Sequence, residues 1–226
     1  FTLVAMLLLA LILRQKPPRP KPQSAVSQTF PDVPRSSMAI QASLSTASVG
    51  CCVAMSLPLA HVVSHVSDLG FDPARGAEVL SLMLGCSVIS SLFGVGFLGG
   101  RYGGLRALFI FSTVHAILLA TLAFTGSLPG IYLAAALLGL GYGGIFPCYP
   151  VIVRELLPSA EAGRRTGLIL LCAGGGMALG SWLGGYIFDL TGSYQMAFLI
   201  GVAFNLGNLA IIFSLILRTR ALRVAL

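Results

Sequence analysis

Along this chain the apolar positions do not alternate with polar ones; they run on for about 20 residues at a time and stop at short clusters of charge, proline and glycine. Between Thr166 and Phe188 no side chain is ionisable except Cys172 and Tyr186. About 20 apolar residues at 1.5 Å each cross the hydrocarbon of a bilayer. Helix is the form such a run must take, because a lone strand in lipid leaves its backbone hydrogen bonds unmade. The pattern predicts six spans, at Met38–Val66, Arg75–Gly99, Leu105–Thr125, Ser127–Leu157, Gly167–Leu190 and Tyr194–Leu217. Within the fifth, Gly176, Gly180 and Gly184 recur every fourth residue, a ridge almost without side chains on which another helix backbone can lie. Each such glycine costs roughly 1 kcal/mol relative to alanine in a free helix, so the ridge belongs in a packed bundle.

Two segments precede the first span. Phe1–Leu13 is an apolar run closed by Arg14, too short to cross and without a basic segment before it, so residues 1–13 are expected to be the end of a truncated helix rather than a signal peptide. Arg14–Ser37 is rich in proline and basic residues, and residues 14–37 are expected to form an extended aqueous linker. Residues 38–217 would form the six-helix bundle and 218–226 a tail. If the linker is cytoplasmic and sides alternate, thirteen of the fourteen Lys and Arg residues lie inside and only Arg75 outside. That asymmetry orients the bundle, with linker and C-terminus cytoplasmic, in a plasma or inner membrane.

The composition agrees: 56% hydrophobic, 9% charged and a mean hydropathy of +0.92 exclude a soluble domain, which would lack polar groups to cover its surface. The net charge of +7 flanks apolar runs rather than forming a stripe, so nucleic acid is not an expected partner; the lipid bilayer is. Five cysteines, all inside apolar spans, argue against a disulfide framework, and no metal or cofactor is expected.

A shift of 89 positions pairs Gly50 with Gly139, Pro58 with Pro147, Arg75 with Arg164, Gly85 with Gly174, Gly96 with Gly185 and Gly103 with Gly192, without a gap. Glycines and prolines set helix bends and close contacts. Three spans per unit is an odd number, so the second copy must run upside down relative to the first, the inverted repeat of many secondary transporters.

On these residues the chain resembles the C-terminal half of a major facilitator superfamily transporter. The segment Gly96-Phe-Leu-Gly-Gly-Arg101-Tyr-Gly103-Gly-Leu-Arg106 is similar to the superfamily's loop motif, but Gly100 stands where an acidic residue is usual. Phe188-Asp189-Leu-Thr-Gly-Ser-Tyr194, with Pro58 to His61 and Asp68 to Gly70, resembles the monocarboxylate and oxalate/formate branch. The resemblance implies an all-α polytopic bundle of two inverted three-helix repeats and a missing N-terminal six-helix half. It also implies a role for Arg101, Arg106 and Asp189 at helix ends or gates. The basic residue that this branch uses for a carboxylate has no counterpart in Val79–Gly99 or Gly167–Phe188, so an anionic solute would need its charge from the other half.

Several polar residues are candidates for a role in transport. His61 and His65, one turn apart with Asp68 three residues on, could contact solute, carry a proton, hold a metal or simply meet water; His61, the deeper, is expected to line an outer vestibule. Gly139-Leu-Gly141-Tyr-Gly-Gly144 has the spacing of a dinucleotide loop but lies in an apolar span, and is read as a flexible helix with Pro147 and Pro150. By the resemblance, Tyr142 and Tyr149 either face the cavity or pack. Ser45, Ser48, Cys52 and Met55 would offer a mildly polar surface on the equivalent first helix. His115 needs a buried partner, with Ser112 one turn away, and Asn205 and Asn208 are expected to bond across helices. Arg154, Glu155, Glu161, Arg164 and Arg165 form an inner charged cluster that is either solvated or a gate.

The expected function is a secondary active carrier for a small organic solute working by alternating access, with or without proton coupling. A stand-alone six-helix module acting as a homodimer is one alternative, and a membrane metalloenzyme built on His61, His65 and Asp68 is another.

Overall fold

The computed structural model describes residues 37–224; the expected helix remnant at 1–13, and the linker at 14–37 apart from Ser37, lie outside the described residues. Every long element among the described residues is helical: α1 Ser37–Asp68, α2 Pro73–Ile89, α3 Val95–Tyr102, α4 Gly104–Phe124, α5 Leu128–Gly143, α6 Ile145–Leu156, α7 Ala162–Thr191 and α8 Tyr194–Val224. A π-helical turn, Ser90–Gly94, joins α2 to α3, so the two read as one span. Gly144 is the single break between α5 and α6, where the glycine and proline cluster weakens the ladder. Six stretches are long and apolar enough to cross a membrane, as expected.

The ends follow local chemistry. Asp72 caps α2, its Oδ1 accepting the Ala74 N–H at 2.8 Å, with Pro73 opening the helix. Gly103 and Gly192, partners in the 89-residue shift, both adopt positive φ (82° and 65°), which favours glycine and turns the chain in a single residue. The expected boundaries differ from the helices in three places. The second span stays helical through Tyr102, the fifth begins at Ala162 rather than Gly167, and α8 continues through Val224, into the residues expected as a tail. Charged residues are tolerated in helix that projects beyond the hydrocarbon, so span length underestimates helix length.

The packing carries an inverted symmetry. α1 packs most extensively on α7 and also on α8; α5 packs on α2 and, with α6, on α4; α4 and α8 pack on each other. Exchanging α1 with α5–α6, α2 with α7 and α4 with α8 leaves this pattern unchanged. Each unit's first helix is thus embedded in the other unit, and the two third helices meet at the pseudo-twofold axis. The polar contacts agree with alternating sides. Arg165 reaches Ser37, and Glu155 reaches Gly104, at the end predicted to be inner; Arg75 and Glu78 meet Tyr132 at the end predicted to be outer.

Glycines permit the closest approaches. On α7, Ile169, Ala173, Gly176, Gly180, Gly184 and Ile187 form the buried face. A Cβ on Gly176 would stand 2.6 Å from the Val49 carbonyl oxygen, and one on Gly180 2.5 Å from that of Val53. The symmetry-related interface uses Gly139 against the Met83 carbonyl and Gly143 against that of Ser87. There the π-helical turn adds two bonds, Ser90 Oγ donating to the Leu140 carbonyl at 2.7 Å and Ser91 Oγ to that of Gly143 at 2.6 Å.

Candidate functional site

The polar residues of the bundle gather in three layers. At the outer end, Gly184 opens room for the imidazole of His61 against α7. His61 Nε2 lies 2.9 Å from the Ser181 carbonyl, which can only accept, so this nitrogen carries the proton. Its ring stacks on Tyr194 at 5.2 Å between centroids, and Tyr194 stacks on Phe188 at 4.3 Å. His65 is buried edge-on against Phe198. Asp68 is exposed, as is Asp189 near the end of α7. Among the described residues no three His, Cys, Asp or Glu side chains are arranged to hold a metal. His61, half-buried, ties α1 to α7 at the rim.

A second layer lies near midspan, between α4 and α8. Asn205 Nδ2 donates to the Ser112 carbonyl at 2.9 Å and meets His115 Nδ1 at 3.2 Å. That contact fixes Nδ1 as the acceptor and leaves the ring proton on Nε2. Asn208 Nδ2 donates to Ser112 Oγ at 3.2 Å and to Asn205 Oδ1 at 3.0 Å. Asn205 and Asn208 bond across helices as expected. The partner of His115 is Asn205 rather than Ser112: a helical serine one turn away is better placed for a backbone carbonyl, whereas the packed α8 brings an amide to the ring. All four side chains are buried. His115 Nε2, Asn208 Oδ1 and the hydroxyls of Tyr142 and Tyr149 have no partner among the described residues. The His115 ring meets Tyr142 edge-on at 6.3 Å.

The inner layer is ionic. α4 begins at Gly104 behind a glycine that has no side chain to cap it; both carboxylate oxygens of Glu155 accept the Gly104 N–H, at 3.1 and 3.0 Å. Glu155 is therefore an inter-helix cap. Arg165 donates through Nε to Glu161 at 2.7 Å and through Nη1 to the Ser37 carbonyl at 3.2 Å, while Gln41 donates to the Arg165 carbonyl at 3.2 Å. The Arg165 guanidinium holds the Glu161 carboxyl below its ordinary range. Arg101, Arg106, Arg154 and Arg164 are exposed, with Arg101 over the Tyr102 ring at 5.8 Å. The motif segment around Gly100 and Arg101 is the last turn of α3 rather than a loop.

The remaining candidates pack within the bundle. Ser48 is fully buried and donates to the Ser45 and Ile169 carbonyls at 2.8 and 3.3 Å; Cys52 lies against Gly176; Met55 lies 4.0 Å from the sulfur of Cys51. Tyr142 and Tyr149 are buried as well. Of the mildly polar surface expected on α1, Ser48, Cys52 and Met55 are thus turned toward α7 and the core, while Ser45 is only partly buried. The aromatic pair Trp182 and Tyr186, stacked at 5.3 Å and exposed on α7 away from its glycine face, went unmarked in the sequence; its four-residue spacing was the available signal.

With this geometry in view, the chain can be set beside known proteins. The sequence profile of the Major Facilitator Superfamily matches residues 42–225. Monocarboxylate transporter 13 of Bos taurus is 29% identical over 164 residues, a match covering 70% of this chain and 38% of the relative. Myo-inositol transporter 3C of Cryptococcus neoformans var. grubii serotype A is 28% identical over 149 residues, covering 63% of this chain and 25% of the relative. In fold, a crystal structure of the peptide transporter POT in complex with sulfate superposes with a TM-score of 0.68 at 19% identity, over 77% of this chain and 37% of that one. The chain therefore spans well under half the length of the relatives it matches.

Proposed function

The chain belongs to the Major Facilitator Superfamily, and from that membership we propose that it is one six-helix bundle of a secondary carrier that moves a small organic solute across a membrane by alternating access. The observation that carries the reading is the inverted packing of the two three-helix units, the arrangement that lets a bundle rock as a rigid body about a central site. The relatives named above are transporters, and no covalent chemistry enters the reading. A second bundle, from the same polypeptide or from another copy, completes the cavity.

The solute passes where the two bundles face each other. His61 stands at the rim expected to be outer, and Tyr142 and Tyr149, cavity candidates by the resemblance, are buried with hydroxyls that have no partner among the described residues. Arg101, Arg106 and Arg154 meet the partner bundle at the inner side when it closes. Since no Lys or Arg lies in Val79–Gly99 or Gly167–Phe188, a carboxylate such as those carried by monocarboxylate transporters finds its counter-charge on the partner bundle. A polyol needs none.

Trans-stimulated uptake tests the reading in vesicles from cells expressing the full coding region. Labelled lactate and labelled myo-inositol are compared, with and without an inward proton gradient. Saturable uptake of one solute, accelerated by the same unlabelled solute inside, is expected. Uptake of both that rises linearly with concentration and shows no trans-stimulation overturns it.

A further inference from the structure

α7 and α8 both lie along α1, yet they pack only lightly on each other, and a groove of about 610 Å³ remains between them over the α1 surface. Its walls include Ser45 and Val49 of α1, Cys172 of α7 and Phe204, Gly207 and Asn208 of α8. The size suits a small organic molecule. The lining is apolar except for a few groups on its floor, and two of these are unpartnered: Ser45 Oγ and Asn208 Oδ1 have no hydrogen-bond partner among the described residues.

The orientation of Asn208 is fixed by a chain of one-way bonds. The Ser112 carbonyl can only accept, so the group of Asn205 facing it is the amide nitrogen. The Asn205 oxygen must then face Asn208, and it too only accepts, so Asn208 turns its nitrogen inward. Both Asn208 N–H groups are used, on Asn205 and Ser112. What remains unpaired is a carbonyl oxygen, a pure acceptor, on a groove-lining residue only 1% exposed. A carboxylate cannot satisfy it, and the groove lining holds no cation. We propose that this groove binds an uncharged amphipath, an apolar body bearing one hydroxyl that donates to Asn208 Oδ1, with Ser45 Oγ available as a second partner. Through Asn205 the ligand is linked to His115 and to α4, so occupancy bears on the packing of the two third helices. The site lies on the flank formed with α8 and does not rest on the transport reading.

Cys172 in the groove wall supplies the readout, in a Cys86→Ser background; Cys51, Cys52 and Cys148 are buried. In purified protein in lipid nanodiscs, protection of Cys172 from N-ethylmaleimide is measured with 4-octylphenol and with its methyl ether, which has the same body but no donor. The phenol is expected to protect at roughly tenfold lower concentration than the ether, about 1.4 kcal/mol. Asn208→Leu should remove that preference. Gly207 has space around it, with no described atom within 4 Å of an added Cβ, so Gly207→Leu should fill the groove and abolish protection by both compounds without disturbing the fold. Equal protection by phenol and ether in the parent protein, a preference that survives Asn208→Leu, or protection that survives Gly207→Leu would overturn the proposal.

Discussion

The glycines of α7 show how much one residue's surroundings decide. Gly180 and Gly185 lie in the same helix, yet an added Cβ at Gly180 meets the Val53 carbonyl at 2.5 Å, while none of the described atoms lies within 4 Å of one at Gly185. The Val53 backbone cannot yield without moving α1, so Gly180→Ala should destabilise the bundle by roughly 1–3 kcal/mol. Gly185→Ala should be neutral or slightly stabilising, since alanine favours helix by up to about 1 kcal/mol. Unfolding in mixed micelles measures both, and equal effects would contradict the packing. The four-residue ridge at Gly176, Gly180 and Gly184 was legible from spacing alone. Ser181 and Gly185, which repeat that spacing one position on, show that periodicity does not say which face meets a neighbour. Nor could the sequence reveal that Gly139 and Gly143 are a second such ridge: their cluster also contains Gly141 and Gly144, and the surplus glycines hide the spacing. For His115 the decisive partner lies 90 residues away, where local pattern has no reach.

Among the elements, α4 depends on another helix for its start. Gly103 supplies the turn but no cap, and Glu155 of α6 supplies the acceptor. Glu155→Ala should cost about 1–2 kcal/mol, the usual worth of a lost cap. It should also raise amide hydrogen exchange over the first turn of α4, while Glu155→Gln, which keeps a carbonyl acceptor, should stay close to the parent. Unchanged exchange in Glu155→Ala would show that the cap does not hold the turn. From the sequence Glu155 belonged to a charged cluster that was either solvated or a gate. Its role as a cap became visible only when Gly103 proved to be the N-cap, since a glycine at a helix start signals a missing acceptor without saying which chain segment provides it. The number and order of the spans were legible because lipid permits so few alternatives. Their ends were less so, because helix can project beyond the hydrocarbon, as α8 does.

For the molecule as a whole, the charge asymmetry predicts a topology that can be checked directly. Gly126→Cys and Ser193→Cys, at the turns expected to be outer, should react with an impermeant maleimide in intact cells, and Ser159→Cys only after permeabilisation. Labelling of Ser159→Cys from outside would reverse the bundle. The 89-residue repeat foretold the inverted arrangement, down to the matched turns at Gly103 and Gly192, but not that each unit's first helix resides in the other. That exchange has a consequence for biosynthesis. α1 leaves the ribosome early, yet its main partners, α7 with its glycine ridge and α8, begin 94 and 126 positions after its last residue, Asp68. At about 5–20 residues per second, the helix waits on the order of ten seconds. During that interval Gln41, Ser48 and Ser56 must be tolerated beside lipid or sheltered by the insertion machinery, so early truncation should leave a chain that inserts but is marked for degradation.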